Sequence, residues 1–309
     1  MLANRSMLVE AAAAAAGGQQ YPAPALYIVA TPIGNLADLS FRALHVLATA
    51  DTIACEDTRH SARLLEHFGL SKPLLAAHEH NEREAAGAVL ERLGRGERVA
   101  YVSDAGTPAV SDPGAALVAA VEAAGYRIVP IPGPSSALAA VSVAGDTSGA
   151  DVVVVGFLPA RGAERARAVA RCATATAAQV LFEAPHRIES LAAALAEACP
   201  ERRVTLCREL TKQFETRVTL PARELPGWLN ADANRNRGEF VVVLHGSVES
   251  DPGVGENDHD VLLQPLLAAL PLKQAVALAA AIGGAPRKLL YARALALKGG
   301  AAAPEDDAD

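Results

Sequence analysis

The chain has 309 residues, 51% of them apolar, and a formal net charge of −7 at neutral pH. That length and apolar fraction allow two domains with sizeable cores. The acidic balance excludes a protein that coats nucleic acid over its whole surface, and no apolar run in the sequence is long enough to span a bilayer.

Residues 1–25 carry an alanine run, but Glu10 interrupts the stretch and alanine is only weakly apolar, so it reads as a disordered extension rather than a signal peptide. A short buried strand is expected over 26–30, followed by the loop Thr31-Pro32-Ile33-Gly34-Asn35-Leu36. Ser40 can cap a helix over 41–50. A second strand over 52–55 leaves through Glu56-Asp57-Thr58-Arg59 into a helix ending at 68. A short third strand over 74–77 precedes a polar helix over 78–93, and a fourth strand lies at 98–102. It runs into the long loop Ser103-Asp104-Ala105-Gly106-Thr107-Pro108-Ala109-Val110-Ser111-Asp112-Pro113-Gly114, after which Pro113 can open a helix at its first turn. A strand over 127–131 follows, then the turn Pro132-Gly133-Pro134, and Ser135 and Ser136 begin an alanine-rich helix to about 144. This alternation predicts a first α/β domain over 26–146 with a mostly parallel sheet covered on both faces.

The stretch 145–149 reads as a domain linker. The second half, over 151–246, predicts strands at 152–155, 180–182, 203–207, 216–220 and 239–244, the fourth of them antiparallel, and hence a mixed sheet. Between them lie an arginine-rich helix, the loop Glu183-Ala184-Pro185-His186-Arg187 and the segment Arg208-Glu209-Leu210-Thr211-Lys212. Residues 247–260 read as an acidic linker. The segment 261–298 holds three helical stretches, a glycine turn and no acidic residue, so it is either a helix-turn-helix-like unit or a packing appendage. Cys55, Cys172, Cys199 and Cys207 have no C-x-x-C spacing, which suggests reduced thiols and a cytoplasmic protein without a zinc site.

Neither a dinucleotide-binding glycine fingerprint nor a P-loop is present. Instead three loops of small and hydroxyl residues, Thr31 to Asn35, Ser103 to Gly114 and Pro132 to Ser136, fall at strand ends. They suit an uncharged or zwitterionic ligand held through backbone groups. Together with Glu56-Asp57-Thr58-Arg59, Glu183-Ala184-Pro185-His186-Arg187 and Arg208-Glu209-Leu210-Thr211-Lys212, in this order, they resemble the tetrapyrrole-methylase superfamily. Within it they are similar to the small-subunit rRNA methyltransferase branch, which 2′-O-methylates a cytidine in the decoding region of 16S rRNA. The resemblance runs over 26–297. It implies an α/β fold of two domains, the class III or tetrapyrrole methylase-like type, with S-adenosylmethionine in the cleft between them. It also implies a homodimer, 16S rRNA within the small ribosomal subunit as partner, and no membrane.

Carried over residue by residue, the resemblance assigns Pro32 to the first cofactor loop, although the Gly-Pro-Gly of porphyrin-precursor methylases is absent. Ala105, Gly106, Thr107 and Val110 match the loop that contacts the methionine and ribose parts. Ser135 and Ser136 match a small-residue pair, and Phe182, Glu183 and Leu210 match positions around the adenine. Transfer to a ribose hydroxyl calls for a proton acceptor. Asp104 is the first candidate, with Glu56, Glu209 and Glu183 behind it, and each can instead brace its loop. Arg59, Arg187 and Lys212, and in the tail Lys273, Arg287 and Lys288, are the expected RNA phosphate contacts. A tetrapyrrole-precursor methylase and an RNA-binding module without catalysis remain as alternatives.

Overall fold

A computed structural model describes residues 2–78, 80–247, 260–283 and 285–299, and the chain divides into two compact units on either side of the Ser247–Val248 bond. The first unit opens with helix α1 (Leu2–Ala16) and continues as β1 (Ala25–Val29), α2 (Phe41–Thr49), β2 (Thr52–Cys55), α3 (Thr58–His67), β3 (Leu74–Ala76), α4 (Glu82–Gly94), β4 (Arg98–Val102), α5 (Ala115–Ala123), β5 (Arg127–Ile131) and α6 (Ser136–Ala144). The five strands form one sheet in the order β3-β2-β4-β1-β5, parallel throughout. Runs such as Ala25-Leu26-Tyr27-Ile28-Val29 are apolar at nearly every position because helices cover both faces. Ala43, Leu44, Val46 and Leu47 of α2 pack on one face, Leu117 and Val121 of α5 on the other. The connections leaving neighbouring β1 and β4 therefore depart to opposite sides, and their carboxyl ends open a crevice.

Two expectations for this half need correction. Residues 2–16 are helical, not disordered: Ala12 and Ala16 are buried, and Tyr21 donates a hydrogen bond to the Ala16 carbonyl at 3.1 Å. Alanine shows no strong apolar stripe, but it is the best helix former and lets helices approach closely. The α5 helix starts at Ala115 with Gly114 as its cap, so Pro113 lies outside it.

The second sheet is built from β6 (Val152–Phe157), β7 (Ala178–Glu183), β8 (Arg203–Arg208), β9 (Thr216–Pro221) and β10 (Phe240–Leu244), with α7 (Gly162–Thr174), α8 (Ile188–Ala198) and α9 (Leu225–Asn230) in the connections. Its order is β6-β7-β10-β8-β9; β6 and β7 are parallel and the other pairings antiparallel. Helices α7 and α8 cover one face. The other is covered by α6, whose Ala137, Ala140 and Ala144 pack on Val180, Cys207, Val241 and Val243. The boundary read at 146 thus falls after a helix that packs on the second sheet. The linker itself is laced to the end of β10: Asp146 accepts the N–H groups of Ser148 at 2.9 Å and Gly246 at 2.8 Å.

The second unit contains α10 (Asp260–Ala269), α11 (Leu272–Gly283) and α12 (Arg287–Gly299) around Leu263, Val276, Ala279, Leu290 and Ala294. Arg293 grips Asp260 at 2.7 Å. The acidic linker read at 247–260 lies almost wholly outside the described residues. Among the described residues no helix is long and apolar enough to cross a membrane.

Candidate active site

The crevice at the carboxyl ends of the first sheet faces the ends of β7 and β10 in the second, and between them lies a cleft of about 440 Å³. The first domain contributes Ile33 after β1, Glu56 after β2, Asp104 to Thr107 and Val110 to Asp112 after β4, and Ser135 and Ser136 at the start of α6. The second contributes Phe157, Phe182 to Pro185, Leu210 and Glu239 to Val241.

The small-residue loops are tied to one another rather than hanging free. Thr31 and Gly106 exchange both backbone hydrogen bonds, at 2.9 and 3.0 Å, so the first and second of these loops meet in a two-residue bridge. The bridge requires Gly106 at φ +82°, a left-handed conformation that favours glycine. A β-carbon there would lie 3.4 Å from Ile33 Cγ2, on the cleft wall. Thr107 Oγ1 donates to the Pro134 carbonyl at 3.0 Å and joins the third loop to the pair. Ser135 caps α6, whose amino-terminal N–H groups form the positive end of a helix at the cleft.

Three carboxylates, Glu56, Asp104 and Asp112, share the first-domain wall. Asp104 Oδ1 accepts the Asp57 N–H at 3.1 Å, so this side chain braces the turn into α3. The Asp104 N–H lies 3.5 Å from Glu56 Oε2. Burial, reinforced by the charge of Asp104, raises the pKa of Glu56 above the ordinary carboxylate value. Burial also raises Asp112, against a hydrogen bond from Ser103. Like charges gathered in a partly dry cleft produce such shifts, and a carboxylate poised nearer neutrality is suited to accept a proton.

Across the cleft, Glu183 has a fully buried side chain held by two guanidinium groups. Arg165 Nη2 donates to Oε2 at 2.8 Å, and Arg187 Nε stands 2.9 Å from Oε1 as an ion pair without hydrogen-bond alignment. Both arginines also donate to the Pro159 carbonyl, and Arg187 to that of Leu158. Arg187, expected on RNA, is therefore spent inside the protein, and Glu183 meets the cleft through the backbone it fixes. Phe182 lies beside Phe157, ring centroids 5.5 Å apart and planes at 59°.

Other expected residues fall elsewhere. Pro32 is buried behind the wall, and its neighbour Ile33 lines the cleft. Glu209 is not on the wall: its carboxylate accepts the Glu239 N–H at 2.9 Å and pairs with Lys212 at 3.0 Å. Although burial opposes it, these two partners hold Glu209 below the ordinary carboxylate value. Lys212 also pairs with Glu239 at 2.8 Å, so its ammonium is committed to two carboxylates instead of standing free for phosphate. Arg59 is largely exposed and paired with Asp57. Lys273, Arg287 and Lys288 are exposed on the C-terminal unit. Ile33, Asp112, Phe157 and Glu239 escaped the sequence reading. Asp112 sat inside the loop already singled out, whereas nothing in the pattern of β6 marks Phe157.

Comparison with known proteins places these features in a family. The family model for Tetrapyrrole (Corrin/Porphyrin) Methylases matches residues 25–226, and that for the RsmI C-terminal HTH domain matches 254–298. Ribosomal RNA small subunit methyltransferase I of Pseudomonas aeruginosa is 48% identical over 277 residues, covering 89% of this chain and 98% of its own. The protein of the same name in Escherichia coli O157:H7 is 44% identical, covering 89% and 96%. Among solved structures, the methyltransferase CobJ superposes with a TM-score of 0.55 at 23% identity, covering 72% of this chain and 94% of its own. Uroporphyrin-III-C-methyltransferase from Thermus thermophilus superposes at 0.52 and 20% identity, covering 74% and 97%. At these identities the structural likenesses establish the fold alone.

Proposed function

The chain belongs to the tetrapyrrole (corrin/porphyrin) methylase family, and from that membership and the geometry of its cleft we propose that it is a cytoplasmic methyltransferase that uses S-adenosylmethionine to methylate the ribose 2′-oxygen of a cytidine in the decoding region of 16S rRNA. The observation that carries this reading is the cleft itself: a glycine-centred loop bridge and a raised carboxyl on one wall, an aromatic and aliphatic surface on the other. The relatives named as small-subunit rRNA methyltransferases span nearly their whole length on this chain, which supports RNA over a tetrapyrrole.

The residues present fit the cofactor. The left-handed backbone at Gly106 leaves room that a side chain would fill. The α6 amino terminus favours a carboxylate, the acidic trio favours cationic groups, and Phe182, Leu210 and Val241 offer an apolar surface to a planar base. When bound, S-adenosylmethionine supplies an electrophilic methyl group. The protein's part is to hold the ribose hydroxyl in line with it and to take the hydroxyl proton. Glu56 is assigned the proton, because its carboxyl lines the cleft with a raised pKa, while Asp104 is occupied as the brace of the α3 turn. A homodimer has a candidate surface in the edge strand β6, whose Val152, Val153, Val154 and Val155 are exposed.

Calorimetry with S-adenosylmethionine and mass mapping of 16S rRNA methylated by the purified protein test the reading; a protein that binds the cofactor but leaves the RNA unmodified rejects the substrate. Gly106→Val puts a β-branched residue at φ +82° against Ile33 and should abolish cofactor binding, with circular dichroism unchanged. Retained affinity in that variant removes the loop from the site. Deleting 261–298 takes away exposed Lys273, Arg287 and Lys288 and should weaken RNA binding while sparing the cofactor. Because phosphate contacts act through counterion release, the difference from the parent should shrink as salt rises. Equal RNA affinity at low salt makes the unit a packing appendage.

A further inference from the structure

We propose that Phe157 is the platform on which the target nucleobase stacks, an inference that rests on the reading of an RNA methyltransferase and adds to it the residue that positions the substrate base. Aromatic residues are scarce, 4% of the chain with six phenylalanines, yet Phe157 stands 60% exposed on the cleft wall. It reaches that wall only because β6 carries a bulge. Val154 pairs with Val180, but the next partner of Leu181 is Gly156, so Val155 is an extra residue and Phe157 comes opposite Phe182. Side chains alternate along a strand, and one inserted residue moves everything after it to the other face. Without the bulge Phe157 would turn toward the face covered by α7 and α8, away from the cleft.

The bulge is built for its place. Gly156 adopts φ +76°, and a β-carbon on it would lie 3.3 Å from Ser111 Oγ of the β4 loop. Phe182 packs against the ring at 59° and supports one side, while the rest stays open. The occupant follows from depth. Phe182, Leu210 and Val241 are half-buried or buried and supply the inner apolar surface that suits the cofactor's base. Phe157 is the outer aromatic, where a nucleotide enters. A ribose presented to a cleft must be splayed out of its RNA strand, and the unstacked base then gains from an aromatic face.

The test compares Phe157→Leu, which keeps apolar bulk and loses the ring, with Phe157→Tyr, which restores it. Cofactor affinity by calorimetry, RNA affinity without turnover, steady-state transfer to 16S rRNA, and oligomeric state by sedimentation are measured for each. Phe157→Leu should raise the KM and Kd for RNA by about 5- to 150-fold, the range for loss of one base–aromatic stack. Its cofactor affinity and oligomeric state should match the parent, and Phe157→Tyr should behave as the parent does. Cofactor affinity falling in step with RNA affinity would make Phe157 an adenine surface and overturn the proposal. So would unchanged RNA parameters in a parent that methylates, or a change confined to oligomeric state. A parent that binds cofactor but neither binds nor methylates RNA overturns the functional reading and this inference together.

Discussion

Replacing Glu56 with glutamine is expected to slow single-turnover methyl transfer by about 10²–10⁴-fold, the usual consequence of losing a general base, while cofactor affinity changes little. Asp104→Asn, which loosens the brace on the Asp57 N–H, should lower stability and cost much less in rate. The reverse ranking would make Asp104 the proton acceptor. A second signature comes from pH. The Glu56 carboxyl is raised in the folded protein by burial and by Asp104, so the folded state binds more protons than the unfolded one between the ordinary carboxylate value and the raised one. Stability contributed at this position is present below that window and falls as pH climbs through it. Glu56→Gln should erase that fall and be neutral or stabilising at neutral pH, even as it loses activity. The parent's transfer rate should rise across the raised value as the base is uncovered; a rate flat through that region rejects Glu56.

Glu183→Ala is expected to be the most destabilising single change near the cleft. It leaves Arg165 and Arg187, both with mostly buried side chains, facing each other without their shared anion. Removing one member of a buried ionic cluster costs about 3–5 kcal/mol, which for a unit of this size is a drop of roughly 6–20 °C in melting temperature. Because the two arginines also hold the Leu158 and Pro159 carbonyls, the turn after β6 should loosen with them. Differential scanning calorimetry decides it: a variant melting within a degree or two of the parent would show that the cluster contributes no net stability.

The parallel first sheet was legible because continuous apolar runs such as Val99-Ala100-Tyr101-Val102 alternate with capped helices, as at Ser40 and Ser135. The cleft loops were legible for the same local reason, since glycine, proline and hydroxyl residues crowd the strand ends. The failures share a different cause. Helix α1 buries itself through small alanines that carry little hydropathy signal, and α6 is adjacent to the first sheet in sequence yet packs on the second. Charged residues were harder still. Arg187, Lys212 and Glu209 have the right chemistry for a site, and only three-dimensional pairing reveals that their charges are already spent on one another and on Glu183 and Glu239. Phe157 was invisible because a single inserted residue, not a motif, decides which face it occupies.

The position of β10 bears on how the molecule is made. Among the described residues it is the last strand to be synthesised, yet it sits in the middle of the second sheet with β7 on one side and β8 on the other. After Glu183 leaves the ribosome, the whole stretch to Phe240 must follow before either neighbour finds its partner. At about 5–20 residues per second that is a wait of several seconds. Throughout it β7 exposes an unpaired hydrogen-bonding edge, joined by β8 once Arg208 has been made, on a nascent chain in which every strand of the first sheet has already been synthesised. The second domain is thus the stage at which this protein is open to mispairing and to capture by chaperones, and truncations that stop short of Leu244 should yield a folded first sheet tethered to an aggregating remainder.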